Sequence, residues 1–191
     1  MISPDDVLQF WFGAADGAGL AAPRREWFAK DAAFDEACRR AFADAWAAAR
    51  DGALDHWQDT PRRCLALVIL LDQIPRNIFR GDPRSFSSDF KALEVSRAAL
   101  ERGFDENLSP FEMLFLLLPL EHSERLDDQE QCLALVERFP PGPVHERVRT
   151  AARQHRDIVA RFGRFPHRNA VLGRPTTPEE AAFLQGPDSS F

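Results

Sequence analysis

The chain has 191 residues, of which 45% are apolar, enough for one large domain with a real core. Its 24 Lys and Arg stand against 30 Asp and Glu, a net charge of -6, which argues against a general polyanion binder, so no nucleic-acid partner is expected. The cysteines Cys38, Cys64 and Cys132 lie far apart among apolar residues, as buried thiols of a reducing cytosol do, and the start MISPDDVLQF lacks a basic leader.

In chain order, helix starts are predicted near residues 4, 31, 61, 84, 110, 127, 143 and 178. Four are marked by Ser or Thr before proline: Ser3-Pro4, Thr60-Pro61, Ser109-Pro110 and Thr177-Pro178. A hydroxyl N-cap accepts from the orphan amides of the first turn, and proline at the first helical position loses no hydrogen bond. Glu112 and Glu180, each three residues after its cap, complete capping boxes. The first helix, DDVLQFWFG, is expected to bury Leu8, Trp11 and Phe12. Residues 13 to 23, GAADGAGLAAP, read as a mobile loop, too near the N-terminus to divide domains.

Apolar residues then recur at spacings of three and four: Phe34, Cys38, Ala41, Phe42, Ala45, Trp46 and Ala49; Phe86, Phe90, Leu93 and Leu100; Val144, Val148, Ala151, Ala152, Ile158, Val159 and Phe162. No β-branched run alternates with polar residues, so the fold class predicted is all-α, in a single domain. The stretches Cys64 to Leu71 and Phe111 to Leu118 are apolar nearly all round, as in helices buried on several sides. Both are far short of the roughly 20 residues of a membrane span, so a cytoplasmic protein without a membrane partner is expected.

Each of these central helices runs into a proline followed by polar residues, in LLDQIPRNIFRG and LLLPLEHSERL. Proline inside a helix removes an amide and frees carbonyls, so both helices are expected to be broken, at Pro75 and at Pro119. Beyond the first break, Asp72 and Arg76 stand four apart, as do Gln73 and Asn77; beyond the second come Glu121, His122 and Glu124. A third polar stretch, RFGRFPHRNAVLGR, follows a helix expected to end at Gly163, and it holds Arg161, Arg164, His167, Arg168 and Asn169. These twelve residues are the candidate site. In one reading Arg161, Arg164 and Arg168 pair with Asp72, Glu121 and Glu124, donate to the carbonyls freed at the prolines, and lock the C-terminal segment in place. In the other, some guanidinium donors stay unpaired and line a pocket for a carboxylate or phosphate.

His155 falls on an apolar helix face, the place of a hydrogen-bonded core histidine. His122 and His167 are better placed for acid–base chemistry. The pair of Glu-x-x-His motifs that helical di-metal carboxylate sites use is missing, so no metal is expected; without a phosphate-binding glycine loop no cofactor is expected either, and Ser123 lacks a nucleophile-elbow context.

The chain resembles the bacterial "domain of unknown function 924" family through VLQFWFG (7 to 13), WFAKDAAFD (27 to 35), LDQIPRNIFRG (71 to 81), PLEHSE (119 to 124), RFGRFPHRN (161 to 169) and LGRPTTPEE (172 to 180). Ile74 stands where the family pattern has phenylalanine. The resemblance implies a tetratricopeptide-repeat-like α-superhelix of stacked helical hairpins, although no 34-residue period is evident. It implies no activity. Three readings follow: a helical-repeat-like module for a protein or peptide partner, which the superfamily resemblance favours; an enzyme or binder of a small anionic ligand; and a purely structural polar cluster.

Overall fold

A computed structural model describes residues 2–13, 23–187 and 189, and the mobile-loop expectation for 13 to 23 falls almost wholly outside them. No strand occurs among the described residues. The helices are α1 (Pro4–Phe12), α2 (Ala32–Arg50), α3 (Pro61–Val68), α4 (Ile74–Ile78), α5 (Asp89–Glu101), α6 (Pro110–Glu121), α7 (Leu126–Val136), α8 (Pro143–Phe162) and α9 (Pro178–Phe183).

The predicted starts are where local chemistry puts them. Ser3, Ser109 and Thr177 each accept from the third helical amide while the acid at that position accepts from the cap's own amide, three complete capping boxes. Asp31 caps α2 through Ala33 N and Phe34 N. Two starts differ in detail. Thr60 precedes α3 without a side-chain cap bond, so Pro61 alone sets that start. Near residue 84 the chain makes a 3-10 turn, Pro83–Phe86, before α5 begins at Asp89. That offset turns Phe90 outward, 72% exposed, against the expectation that it faces the core; Ala41 of α2 is exposed as well. α8 ends at Gly163, whose φ of 67° is the left-handed conformation that closes a helix at little cost for glycine.

The core lies along α3, α4 and α6. Every residue from Cys64 to Leu71 and from Phe111 to Glu121 is buried, and α1 covers them with Val7, Leu8, Trp11 and Phe12. Trp11, Trp27 and Phe12 meet the ring of Phe115 edge-on at 5.4, 4.8 and 5.6 Å. Helices adjacent in sequence pack together from α5 to α8.

The two prolines act differently. Between α3 and α4 the chain widens into a π turn, Ile69–Gln73, with Ile74 N donating to Ile69 O, and this turn accommodates the amide that Pro75 lacks. Pro119, by contrast, breaks nothing: α6 runs through it to Glu121 and ends at His122. Of α6 only Leu120 and Glu121 follow Pro119, so the proline costs the helix few bonds. Gln129 of α7, fully buried, donates from Nε2 to the carbonyls of Glu121 (2.6 Å), Ser123 (2.7 Å) and Leu120 (3.3 Å), satisfying the helix end.

Candidate functional site

The π turn, the end of α6, the first turn of α5, α8 and a 3-10 turn at Pro166–Arg168 converge on a buried polar cluster. Asp72 is its centre. Side-chain exposure there is 0%, and the carboxylate is held by Arg76 Nη1 at 3.0 Å, by His122 Nδ1 at 2.8 Å and by the Gln73 amide. Burial alone would push Asp72 up, but the Arg76 charge and the hydrogen bonds from His122 and Gln73 hold it well below the usual carboxylate range. Asp72 is therefore ionised, and His122 donates to it from Nδ1. His122 is itself pushed down by burial and by the Arg76 charge, so it is neutral at pH 7 with its lone pair on Nε2. Among the described residues Nε2 has no hydrogen-bond partner.

Arg76 binds Asp89 with both terminal nitrogens, at 2.8 and 2.9 Å, and donates to the Asp72 carbonyl at 2.6 Å. Asn77 donates to the Gln73 carbonyl at 3.0 Å. The carbonyls loosened around Pro75 are thus satisfied from the same turn, and Leu71 O takes the Ser88 hydroxyl at 2.6 Å. This corrects the expectation that arginines of the C-terminal stretch would cover them.

The expected pairing of Arg161, Arg164 and Arg168 with Asp72, Glu121 and Glu124 also fails. Arg161 binds Glu179 on the surface, and Arg164 binds Glu180 through two nitrogens at 2.6 and 2.9 Å. Asn169 joins that second pair, donating to Glu180 at 3.1 Å. Glu124 is taken by Arg174 in a two-bond fork of 2.7 and 3.0 Å and also accepts from Phe165 N. Although half-burial pushes Glu124 up, these bonds hold it below its ordinary range. The reason is proximity: Glu179 and Glu180 open α9 only 16 to 18 residues beyond their arginines, and Asp72 is already saturated by its neighbours.

Arg168 is left as the exception. Its side chain is 8% exposed, and its closest carboxylate oxygen, on Asp89, is 3.7 Å away. Nε is buried and has no hydrogen-bond partner among the described residues. The guanidinium sits between the rings of Phe165 and Phe86, 4.6 and 4.8 Å from their centroids, a cation–π slot. Burial and the neighbouring Arg76 charge push it down to about 10, which still leaves it charged at neutral pH.

Glu121 and the remaining histidines complete the cluster. Glu121 lies 3.5 Å from His155 Nδ1, and burial with the nearby Asp72 charge pushes its carboxyl up to about 8. His155 is the core histidine expected: it is buried, donates from Nδ1 to Ala151 O at 2.9 Å, and is pushed down to about 3 by burial. His167 is pushed down to about 4 by burial and the adjacent Arg168 charge, and its ring lies 5.6 Å from that of Phe165. Among the described residues no three His, Cys, Asp or Glu side chains are grouped to hold a metal ion, and no helix is long and apolar enough to cross a membrane.

Of the twelve candidates, Asp72, Gln73, Arg76, His122 and Arg168 share the cluster with Glu121 beside it; His167 lies at its edge, against Phe165 and next to Arg168; Asn77 adjoins the π turn, while Glu124, Arg164 and Asn169 form the adjoining salt bridges and Arg161 is on the surface. Asp89, Arg174, Phe86 and Phe165 were not among them. Arg174 was visible in the same arginine-rich stretch, but nothing local singles out Asp89, which belongs to the site only because α5 packs against the π turn.

The DUF924 family profile, bacterial proteins of unknown function, matches residues 7–188. The chain belongs to this family. A solved structure, that of the protein of unknown function ATU0120 from Agrobacterium tumefaciens, is 40% identical, with a TM-score of 0.84 over 96% of this chain and 97% of that one. No curated protein sequence matches the chain.

Proposed function

We propose that this family member binds a small anionic ligand, through a carboxylate or phosphate group, at Arg168. The observation that carries this reading is the contrast among four neighbouring arginines. Arg76, Arg164 and Arg174 each hold a carboxylate through two N–H donors, whereas Arg168, equally charged and more deeply placed than Arg164 and Arg174, makes no such bond. A buried guanidinium without acceptors is unfavourable, and an anion placed on its planar fork supplies them. The Phe86 and Phe165 faces hold the fork flat, so little side-chain entropy remains to be lost on binding.

The test is a thermal-shift screen against acetate, succinate, phosphate and phosphate monoesters at constant ionic strength. The wild type should be stabilised, by about 2.7 kcal/mol at one hundred times Kd, and Arg168→Gln should lose that gain. An unresponsive wild type, or equal stabilisation of both proteins, would sink the reading.

A second reading, a module for a protein or peptide partner, is favoured by a shallow apolar groove lined by Phe111, Phe139, Pro140, Pro141 and Val144. It adjoins Trp27, 5.7 Å from Phe111, and Phe28, which is 56% exposed. A tetratricopeptide-like stack of hairpins belongs with this reading, since α5 to α8 pack in chain order. Saturable binding of apolar peptides that Val144→Asp abolishes and Arg168→Gln leaves intact would favour it.

A further inference from the structure

The polar cluster around Arg168 is balanced in charge before any ligand arrives. Arg76, Arg168 and Arg174 face Asp72, Asp89 and Glu124, and each of these three carboxylates lies within 4 Å of a guanidinium. A bare anion entering this poorly solvated place leaves one uncompensated negative charge, which is costly in low dielectric. The cluster also contains a group able to cancel it. His122 has Asp72 on Nδ1 at 2.8 Å and, among the described residues, no hydrogen-bond partner on Nε2, and its side chain is 16% exposed, so a proton from solvent can reach it.

We propose that the Arg168 site takes up its ligand as an anion together with one proton, and that His122 Nε2 is the atom that receives this proton and donates it in a hydrogen bond to the ligand. The inference rests on the anion-site reading above and adds the chemical class: conjugate bases of oxyacids, bound as ion plus proton. The balance is simple. One solvent proton is added to the imidazole, no bond in the ligand breaks, and the imidazolium is left between the bound anion and Asp72.

The surroundings favour His122 over the other titratable groups. Glu121, next to it on α6, is pushed up to about 8 and so already holds a proton at pH 7. His155 of α8 has its Nδ1 on a backbone carbonyl, with Glu121 rather than an ionised carboxylate beside it. His167 feels the adjacent Arg168 charge most directly, with Glu124 already committed to Arg174. Of these described groups only His122 has a fully buried, ionised carboxylate in hydrogen-bond contact to stabilise an added positive charge.

Calorimetric titration of the full chain with methanesulfonate and with acetate, monoanions that do not themselves titrate near pH 7, in buffers of different ionisation enthalpy gives the number of protons taken up. The wild type should take up close to one proton per anion at pH 7, and its affinity should rise by up to tenfold for each unit the pH is lowered toward 6. His122→Gln, which keeps a donor near the Nε2 position but cannot titrate, should bind with no uptake, while Glu121→Gln and His167→Gln should keep it. Anion binding without proton uptake overturns this inference and leaves the Arg168 site standing. Uptake that survives in His122→Gln and vanishes in His167→Gln overturns the assignment to His122. No binding of either ion removes both.

Discussion

Ser88 Oγ donates at 2.6 Å to the carbonyl of Leu71, the acceptor four residues before Pro75 that proline leaves without its helical amide. The same hydroxyl accepts from Trp46 Nε1 at 3.1 Å, so one side chain of the turn before α5 ties α2 to the π turn. Ser88 is 2% exposed. Ser88→Ala should strand a buried carbonyl and an indole N–H and cost about 1–3 kcal/mol, read from urea unfolding; a loss below 0.5 kcal/mol would show that water replaces the hydroxyl. Because the π turn positions Asp72, the variant should also weaken anion binding.

Trp11 is fully buried, and its carbonyl accepts from Trp27 Nε1 and Arg24 Nη1, both at 2.9 Å. Trp11→Ala should cost about 3–5 kcal/mol and lower the melting temperature by roughly 10 °C. Deleting residues 1 to 13 should do at least as much damage, and a melt unchanged by either alteration would mean that α1 is not part of the cooperative core.

Two arginines of one stretch should behave oppositely. Arg174→Ala removes both bonds to Glu124 and one to the Phe165 carbonyl, and should cost about 1–3 kcal/mol. Arg161→Ala breaks an exposed pair with Glu179 and should stay within about 0.5 kcal/mol of wild type. Equal effects in denaturant titrations would contradict the partner assignment.

Stability should depend on pH through Glu121. Its folded carboxyl is pushed up to about 8 while the unfolded chain titrates near 4.5, so the folded protein holds the extra proton between those values. This contribution is complete below pH 4.5 and is lost as the pH rises to about 8. His155, pushed down to about 3 from 6.5, acts in the other direction: its contribution is complete above 6.5 and is lost as the pH falls toward 3. Melting of Glu121→Gln between pH 6.5 and 8 should therefore be flatter than that of the wild type, whose decline over that interval should be plain. Parallel curves would mean that Glu121 is ionised when folded.

Much of the fold was legible in the chain because its signals are local. A hydroxyl cap, a proline and an acid three residues on meet within one turn whatever the rest of the protein does, so Ser3, Ser109 and Thr177 start helices as read. The Asp72–Arg76 bridge and the helix end at Gly163 belong to the same class, since one turn of backbone brings the partners together.

What the sequence by itself determined, then, is the all-helical architecture, most helix boundaries and the stretches that carry the polar chemistry. Only the tertiary structure decided which charge meets which. Glu124 and Arg174 are 50 residues apart, as are Asp72 and His122, and each carboxylate could have served several arginines at similar energy. The outcome depends on which helices pack together and on which acceptors are already saturated, quantities that no short window of sequence contains. That is why Arg168, expected to lock a carboxylate, instead lies between two phenylalanine rings with no hydrogen-bond partner for its Nε among the described residues.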